Sequence, residues 1–269
     1  MPYREEVGSS SESGECRVEP VLQGTVALVT GASSGIGAAT ASALAAQGAT
    51  VALAARRRAQ LEELATRIRE GGGTALVLEC DVTDRDQAAA AVERTVAELG
   101  RLDTLVNNAG VMLLGPAADA PLDEWQRMVD LNVLGLLYCA HAALPHLRRA
   151  AADGPRRVAD MVNISSVAGR FARVGNGVYA LTKFGVGAFS ESLRQELAGQ
   201  YVRVSLVEPG ATATELASHN RPEILEGIRG QFGQRMDASD IADAISYIVT
   251  RPRHLAVNEM LIRPTEQQR

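Results

Sequence analysis

The chain has 269 residues, 46% of them hydrophobic and 22% charged, and a formal net charge of −5. That length suits one large α/β domain or two small ones, and the acidic balance argues against nucleic-acid binding through charge alone. Cys16, Cys80 and Cys139 are far apart with no CxxC, which excludes a disulfide scaffold or zinc site and fits a reducing cytosol, so the expected location is cytoplasmic.

Residues 1–21 are rich in Ser, Glu and Gly and have no apolar h-region, so they read as a disordered polar tail and not as a secretory signal. No apolar run spans a bilayer without charges, and no membrane partner is expected. From residue 22 onward, short apolar runs alternate with helical stretches. A strand over 25–30 leads through a glycine-rich turn to a helix over 36–47, which stops at Gly48. A strand over 50–54 precedes an amphipathic helix over 59–70, with Leu61, Leu64, Ala65 and Ile68 at helical spacing. Then come a strand over 74–79, a helix over 84–99, a strand over 102–107 and helices over 122–149. A strand over 158–165 contains Asp160, which is placed near the strand start facing solvent, and 148–157 reads as a surface loop. A helix over 178–197, a strand over 202–208, a helix over 241–249 and a last strand over 259–262 complete the pattern. Repeated β-α alternation implies a single-domain, doubly wound parallel sheet with helices on both faces, the Rossmann α/β class. Aromatics make up only 4%, so Ala, Val, Leu and Ile must build the core, which suits such a sheet. The segment 211–236 reads as a loop-and-helix insertion that covers a substrate.

Two clusters carry chemistry. Gly31, Ser33, Ser34, Gly35, Ile36 and Gly37 lie between the first strand and first helix, where free backbone N–H groups and the helix N-terminus suit a phosphate. The spacing is Gly-x3-Gly-x-Gly. An acid about 20 residues further on would bond the ribose of NAD; here Arg56 stands 19 residues after Gly37, followed by Arg57, and arginines suit the 2′-phosphate of NADP. The second cluster is Ser166, Tyr179 and Lys183. Tyr179 and Lys183 are four apart on one helix face, and Ser166 lies 13 residues before Tyr179 at a strand end. A phenol is a poor acid–base group at neutral pH, and a neighbouring ammonium is expected to lower its pKa. Ser165 is the neighbouring decoy.

These motifs, with Asp81-Val82, Asn107-Asn108-Ala109-Gly110, Asn132 and Pro209-Gly210, resemble the short-chain dehydrogenase/reductase family over roughly residues 22–265. The resemblance implies a catalytic tetrad of Asn132, Ser166, Tyr179 and Lys183. It implies that Ser166 bonds the substrate oxygen, Tyr179 exchanges the proton, Lys183 holds the nicotinamide ribose, and Asn132 anchors a proton-relaying water. It also implies cofactor contacts from Asp81, Val82, Asn108, Ala109, Gly110, Pro209, Gly210, Thr212 and Thr214, an NADPH/NADP cofactor, and a homotetramer or homodimer. Helices over 123–149 and 178–198 would form one interface and the strand near 258–263 another. Ser34 departs from the family, many of whose NADP-binding members have a basic residue there. The runs 107–116, 180–196 and 258–266 are similar to a subgroup of NADPH-dependent reductases that includes clavulanic acid dehydrogenase, of an antibiotic pathway, and to 3-hydroxy acid (serine) dehydrogenases.

The expected activity is reversible, NADPH-dependent reduction of an aldehyde or ketone to an alcohol. The alternatives are NAD(P)-dependent oxidation of a 3-hydroxy acid or other secondary alcohol, and a non-catalytic NADP-binding regulator, which would not need the Ser-Tyr-Lys spacing. The remaining candidates have plainer readings. No metal is expected, because His141 and His146 are five apart on a helix, a poor ligand spacing. His219 reads as a solvated loop residue, Arg170 and Arg173 as solvated arginines with a carboxylate contact as the alternative, and Met112, Leu113 and Leu114 as pocket or core.

Overall fold

β1 (Val26–Thr30), β5 (Ala159–Ile164) and β6 (Val202–Pro209) are buried at every position, as strands covered on both faces must be. A computed structural model describes residues 20–228 and 233–268. The expected tail over 1–21, with Cys16, therefore falls almost wholly outside the described residues. β2 (Thr50–Ala55), β3 (Ala75–Glu79), β4 (Thr104–Asn107) and β7 (Glu259–Ile262) complete one seven-stranded sheet in the order β3-β2-β1-β4-β5-β6-β7, parallel throughout.

Successive strand residues point to opposite faces and enter different cores. Ala27, Val29, Val51 and Leu53 pack with α1 (Gly35–Ala46), α2 (Arg58–Glu70) and α8 (Ala238–Val249). Leu28, Ala52 and Ala54 pack with α3 (Arg85–Leu99), α5 (Leu136–Asp153) and α6 (Gly177–Leu197). Chain order reverses between β1 and β4, and the crevice at their carboxyl ends is where this sheet type binds ligands.

Two local expectations are corrected. α5 runs to Asp153, so 148–157 is mostly helix rather than loop. Asp160 does not face solvent: it is 1% exposed, receives Arg203 through Nε at 2.7 Å and Nη2 at 2.9 Å, and receives Arg156 at 3.3 Å. A buried carboxylate needs such partners. α4 (Leu122–Val129), a π-helical turn (Asp130–Gly135) and α5 form one continuous helix, Leu122–Asp153. It is the one described helix long and apolar enough to cross a membrane by length and composition. Its α5 portion packs on β4, β5 and α3, so that apolar character serves the sheet.

Candidate active site

The carboxyl ends of β1, β2, β4, β5 and β6 open into a cavity of about 710 Å³. Of the expected tetrad and cofactor-contact residues, all line it except Gly37 and Asn132, which lie behind its wall. Gly37 lies so close under the phosphate-loop backbone that a Cβ there would meet the Gly31 carbonyl oxygen at 2.4 Å. Gly31 has φ +65°, a left-handed conformation that L side chains avoid. Ser34 is the α1 N-cap but makes no side-chain cap bond. Ser33, Ser34, Gly35 and Ile36 line the cavity, so the helix start presents backbone donors to whatever anion sits there. These donors, with Arg57 beside them, fit a dinucleotide phosphate.

The loop is braced from β4. The Thr30 hydroxyl accepts the N–H groups of Asn108 and Ala109 at 3.0 and 3.1 Å. Asn108 Nδ2 donates to the carbonyls of Thr30 and Gly31 at 2.9 and 3.2 Å. Asn108 therefore shapes the phosphate loop as well as lining the cavity. Arg56 is exposed, 3.7 Å from Asp81. Arg57 lies on the loop itself, donating to Ser33 Oγ and Ser34 Oγ.

At the other end of the cavity, Ser166, Tyr179 and Lys183 converge. Ser166 caps a 3₁₀ turn (Val167–Gly169) after β5, accepting the Ala168 N–H at 3.1 Å, and its hydroxyl also bonds Tyr179. The buried Ser165 hydroxyl donates to the Lys183 carbonyl at 3.1 Å, whereas Ser166 Oγ has a longer bond, 3.5 Å, to the Pro209 carbonyl. Lys183 is 6% exposed; its Nζ donates to the Ile164 carbonyl at 2.8 Å and lies 5.8 Å from the centre of the Tyr179 ring. The expected lowering of the Tyr179 pKa is not found. Burial pushes the phenol up to about 12, against the pull of the Ser166 bond, and pushes Lys183 down to about 8. Desolvation is the largest cause at both groups.

Asn132 sits in the π turn, 2% exposed. Its Oδ1 accepts the Val111 N–H at 2.8 Å, and its Nδ2 donates to the Val111 carbonyl at 2.9 Å and Thr182 Oγ1 at 3.2 Å. The side chain thus fastens the loop after β4 to α6. Thr212 bridges to Met236, which pins both ends of the covering insertion, and Thr214 caps the 3₁₀ turn Glu215–His219.

Several other candidates separate cleanly. Met112 and Leu114 line the cavity, whereas Leu113 packs with Val111, Met128 and Tyr179 in a small core. His219 also lines it, with its pKa lowered by burial and by Arg127. Arg170 is exposed and lies off the cavity, where it bonds buried Glu208 at 2.6 Å and pairs with Glu259. Arg173 does line it. His146 pairs with Glu93 at 2.9 Å, and no metal-binding cluster occurs among the described residues. Sequence reasoning missed Asn220, Gln267 and Glu215. Asn220 accepts the Leu114 N–H at 2.6 Å and donates to Met112 O at 2.8 Å, tying the insertion to the pocket wall. Gln267 accepts the Ala211 N–H at 2.8 Å. Each pairs with a distant stretch of chain, and no local pattern marks it.

Residues 25–224 match the family model described as short chain dehydrogenase. Glycine betaine reductase ATRR of Emericella nidulans is 44% identical over 248 residues, 91% of this chain but only 19% of that protein's length. An uncharacterized oxidoreductase of Staphylococcus saprophyticus, SSP1627, is 36% identical over 90% of this chain and 96% of its own. The closed form of a serine dehydrogenase complexed with NADP+ superposes with a TM-score of 0.80 at 31% identity, covering 91% of this chain and 97% of that one.

Proposed function

Because the chain belongs to the short-chain dehydrogenase/reductase family of oxidoreductases, we propose that it is an NADPH-dependent reductase of an aldehyde or ketone, the reaction being reversible. The observation that carries this reading is the juxtaposition of Ser166, Tyr179 and Lys183 at one end of a cavity whose other end is the Gly31–Gly37 loop with Arg57. Several solved relatives carry NADP, the metagenomic short-chain oxidoreductase at 33% identity among them.

When bound, the dinucleotide supplies the hydride that the carbonyl carbon accepts. The protein supplies the rest. Backbone donors of the phosphate loop and Arg57 hold the phosphates, and Asp81 and Val82 flank the adenine. Ser166 Oγ donates to the substrate oxygen, and the Tyr179 hydroxyl delivers the proton there as negative charge develops. A phenol held at about 12 keeps its proton at neutral pH, which suits the acid needed for reduction. Lys183 holds the nicotinamide ribose. Asn132 acts as a positioning residue, since its side chain bonds Val111 and Thr182.

Met112, Leu114, Phe171 and Ile224 make the substrate end apolar, which suits a medium-sized carbonyl compound. Arg173 and Arg235 also line the cavity, and with the likeness to serine dehydrogenase they favour a second reading, oxidation of a 3-hydroxy acid whose carboxylate an arginine receives. Relative rates with a panel of aldehydes, ketones and 3-hydroxy acids separate the two: faster turnover of the acids would reverse the assignment. In this reading the protein works in the cytoplasm, where Cys80 and Cys139 remain free thiols, and it assembles as a homodimer or homotetramer.

A further inference from the structure

A carboxylate of the chain pairs with Arg57, one of the two arginines expected to take the cofactor's 2′-phosphate. Glu215 opens the 3₁₀ turn Glu215–His219 that covers the cavity, and its Oε2 lies 3.0 Å from Arg57 Nη1. The remaining donors of that guanidinium reach Ser33 Oγ at 3.2 and 3.0 Å and Ser34 Oγ at 2.7 Å. The Ser34 hydroxyl also bonds the Glu215 carboxylate. One guanidinium N–H and a loop hydroxyl on a carboxylate are donors of the kind that a phosphate takes. Arg57, Ser33, Ser34 and Glu215 all line the cavity. Thr214, one residue earlier, packs on the phosphate loop: a Cβ on Gly35 would stand 3.1 Å from its Cγ2. The Arg57 and Glu215 side chains are 44% and 55% exposed, so their pair is weak and exchangeable.

We propose that Glu215 is a stand-in for the 2′-phosphate and sets how strongly the chain discriminates NADPH from NADH. The inference rests on the cofactor reading above. In the free protein the carboxylate holds Arg57 and Ser34 and ties the covering turn to the phosphate loop. The phosphate of NADP(H) takes the same donors and must displace it, so part of the phosphate's binding energy is cancelled. NADH carries no group that competes for Arg57 and leaves the pair in place, its ribose hydroxyls free to donate to the carboxylate as they do to an acid in NAD-binding sites.

The test is calorimetric titration of wild type, Glu215→Gln, Arg57→Ala and the double variant with NADPH, NADH, 2′,5′-ADP and 5′-AMP. Glu215→Gln is expected to tighten NADPH and 2′,5′-ADP by about two- to fivefold, the scale of one exposed ion pair. NADH and 5′-AMP gain nothing, and the effect vanishes in the Arg57→Ala background. Unchanged or weaker NADPH binding by Glu215→Gln overturns the proposal, as does the same tightening without Arg57. If wild type binds 2′,5′-ADP no better than 5′-AMP, the NADP reading falls and takes the proposal with it. If it prefers 2′,5′-ADP while Glu215→Gln changes nothing, only the stand-in role falls.

Discussion

Tyr179 and Lys183 are four residues apart on one helix face, which the sequence spacing alone shows, yet their electrostatics come from burial that no spacing reveals. Burial raises the phenol to about 12 and lowers the ammonium to about 8, so each neutral form is more favoured than in the free group. Removing the hydroxyl in Tyr179→Phe should cut turnover by about 10²–10⁴-fold. NADPH affinity, measured by fluorescence titration, should stay within a small factor of wild type. The lysine makes a separate prediction. Its folded pKa lies below the unfolded value of 10.5, so between pH 8 and 10.5 the unfolded chain binds more protons and stability rises with pH. The tyrosine acts oppositely between pH 10 and 12, where the unfolded chain loses its proton first. In denaturant titrations, wild type should therefore gain on Lys183→Met as pH rises from 8 toward 10, and parallel curves would contradict the assignment. A contact favours Ser166 over Ser165 as the expected reacting serine: the Ser165 hydroxyl is occupied with the Lys183 carbonyl.

At the scale of elements, the strand and helix alternation was legible because buried parallel strands read as continuous apolar runs and α2 keeps its helical apolar spacing. The misreadings came where long-range polar partners override local pattern. Asp160 in a strand looked solvent-bound, but Arg203, 43 residues away, and Arg156, in the turn just before the strand, make its burial possible. This cluster sits at the amino end of β5, away from the cavity at the carboxyl ends. Arg203→Met strands a buried carboxylate and should cost about 3–5 kcal/mol of unfolding free energy, with NADPH affinity of the remaining folded protein unchanged. A fall in affinity to match the loss of stability would place this cluster in communication with the site. The π turn around Asn132 was equally invisible, since nothing in DLNVLG distinguishes it from an ordinary helical turn. Asn108→Ala tests the brace between β4 and the phosphate loop. It should weaken NADPH several-fold and cost about 1–3 kcal/mol, because it leaves two loop carbonyls without a partner.

At the scale of the whole molecule, one sheet carries both halves of the site: β1 and β2 the cofactor end, β5 and the helix after it the reacting groups. The sequence motifs marked both halves because the backbone turns and the reacting side chains are each local. They did not mark Glu215, which meets Arg57 across 158 residues of chain. Leu122, Leu181 and Phe184 are 71%, 63% and 46% exposed on α4 and α6, where the proposed subunit interface lies. Sedimentation equilibrium at micromolar concentration should find a dimer or tetramer that Phe184→Glu dissociates, and a wild-type monomer would contradict that assembly. The central claim is that Ser166, Tyr179 and Lys183 reduce a carbonyl with hydride from NADPH. It is tested most directly by following NADPH absorbance in single turnovers against a panel of aldehydes and ketones, wild type beside Tyr179→Phe. Carbonyl-dependent NADPH oxidation is expected, faster than with NADH and nearly abolished in the variant; near wild-type rates in Tyr179→Phe, or no oxidation with any carbonyl, would refute that chemistry.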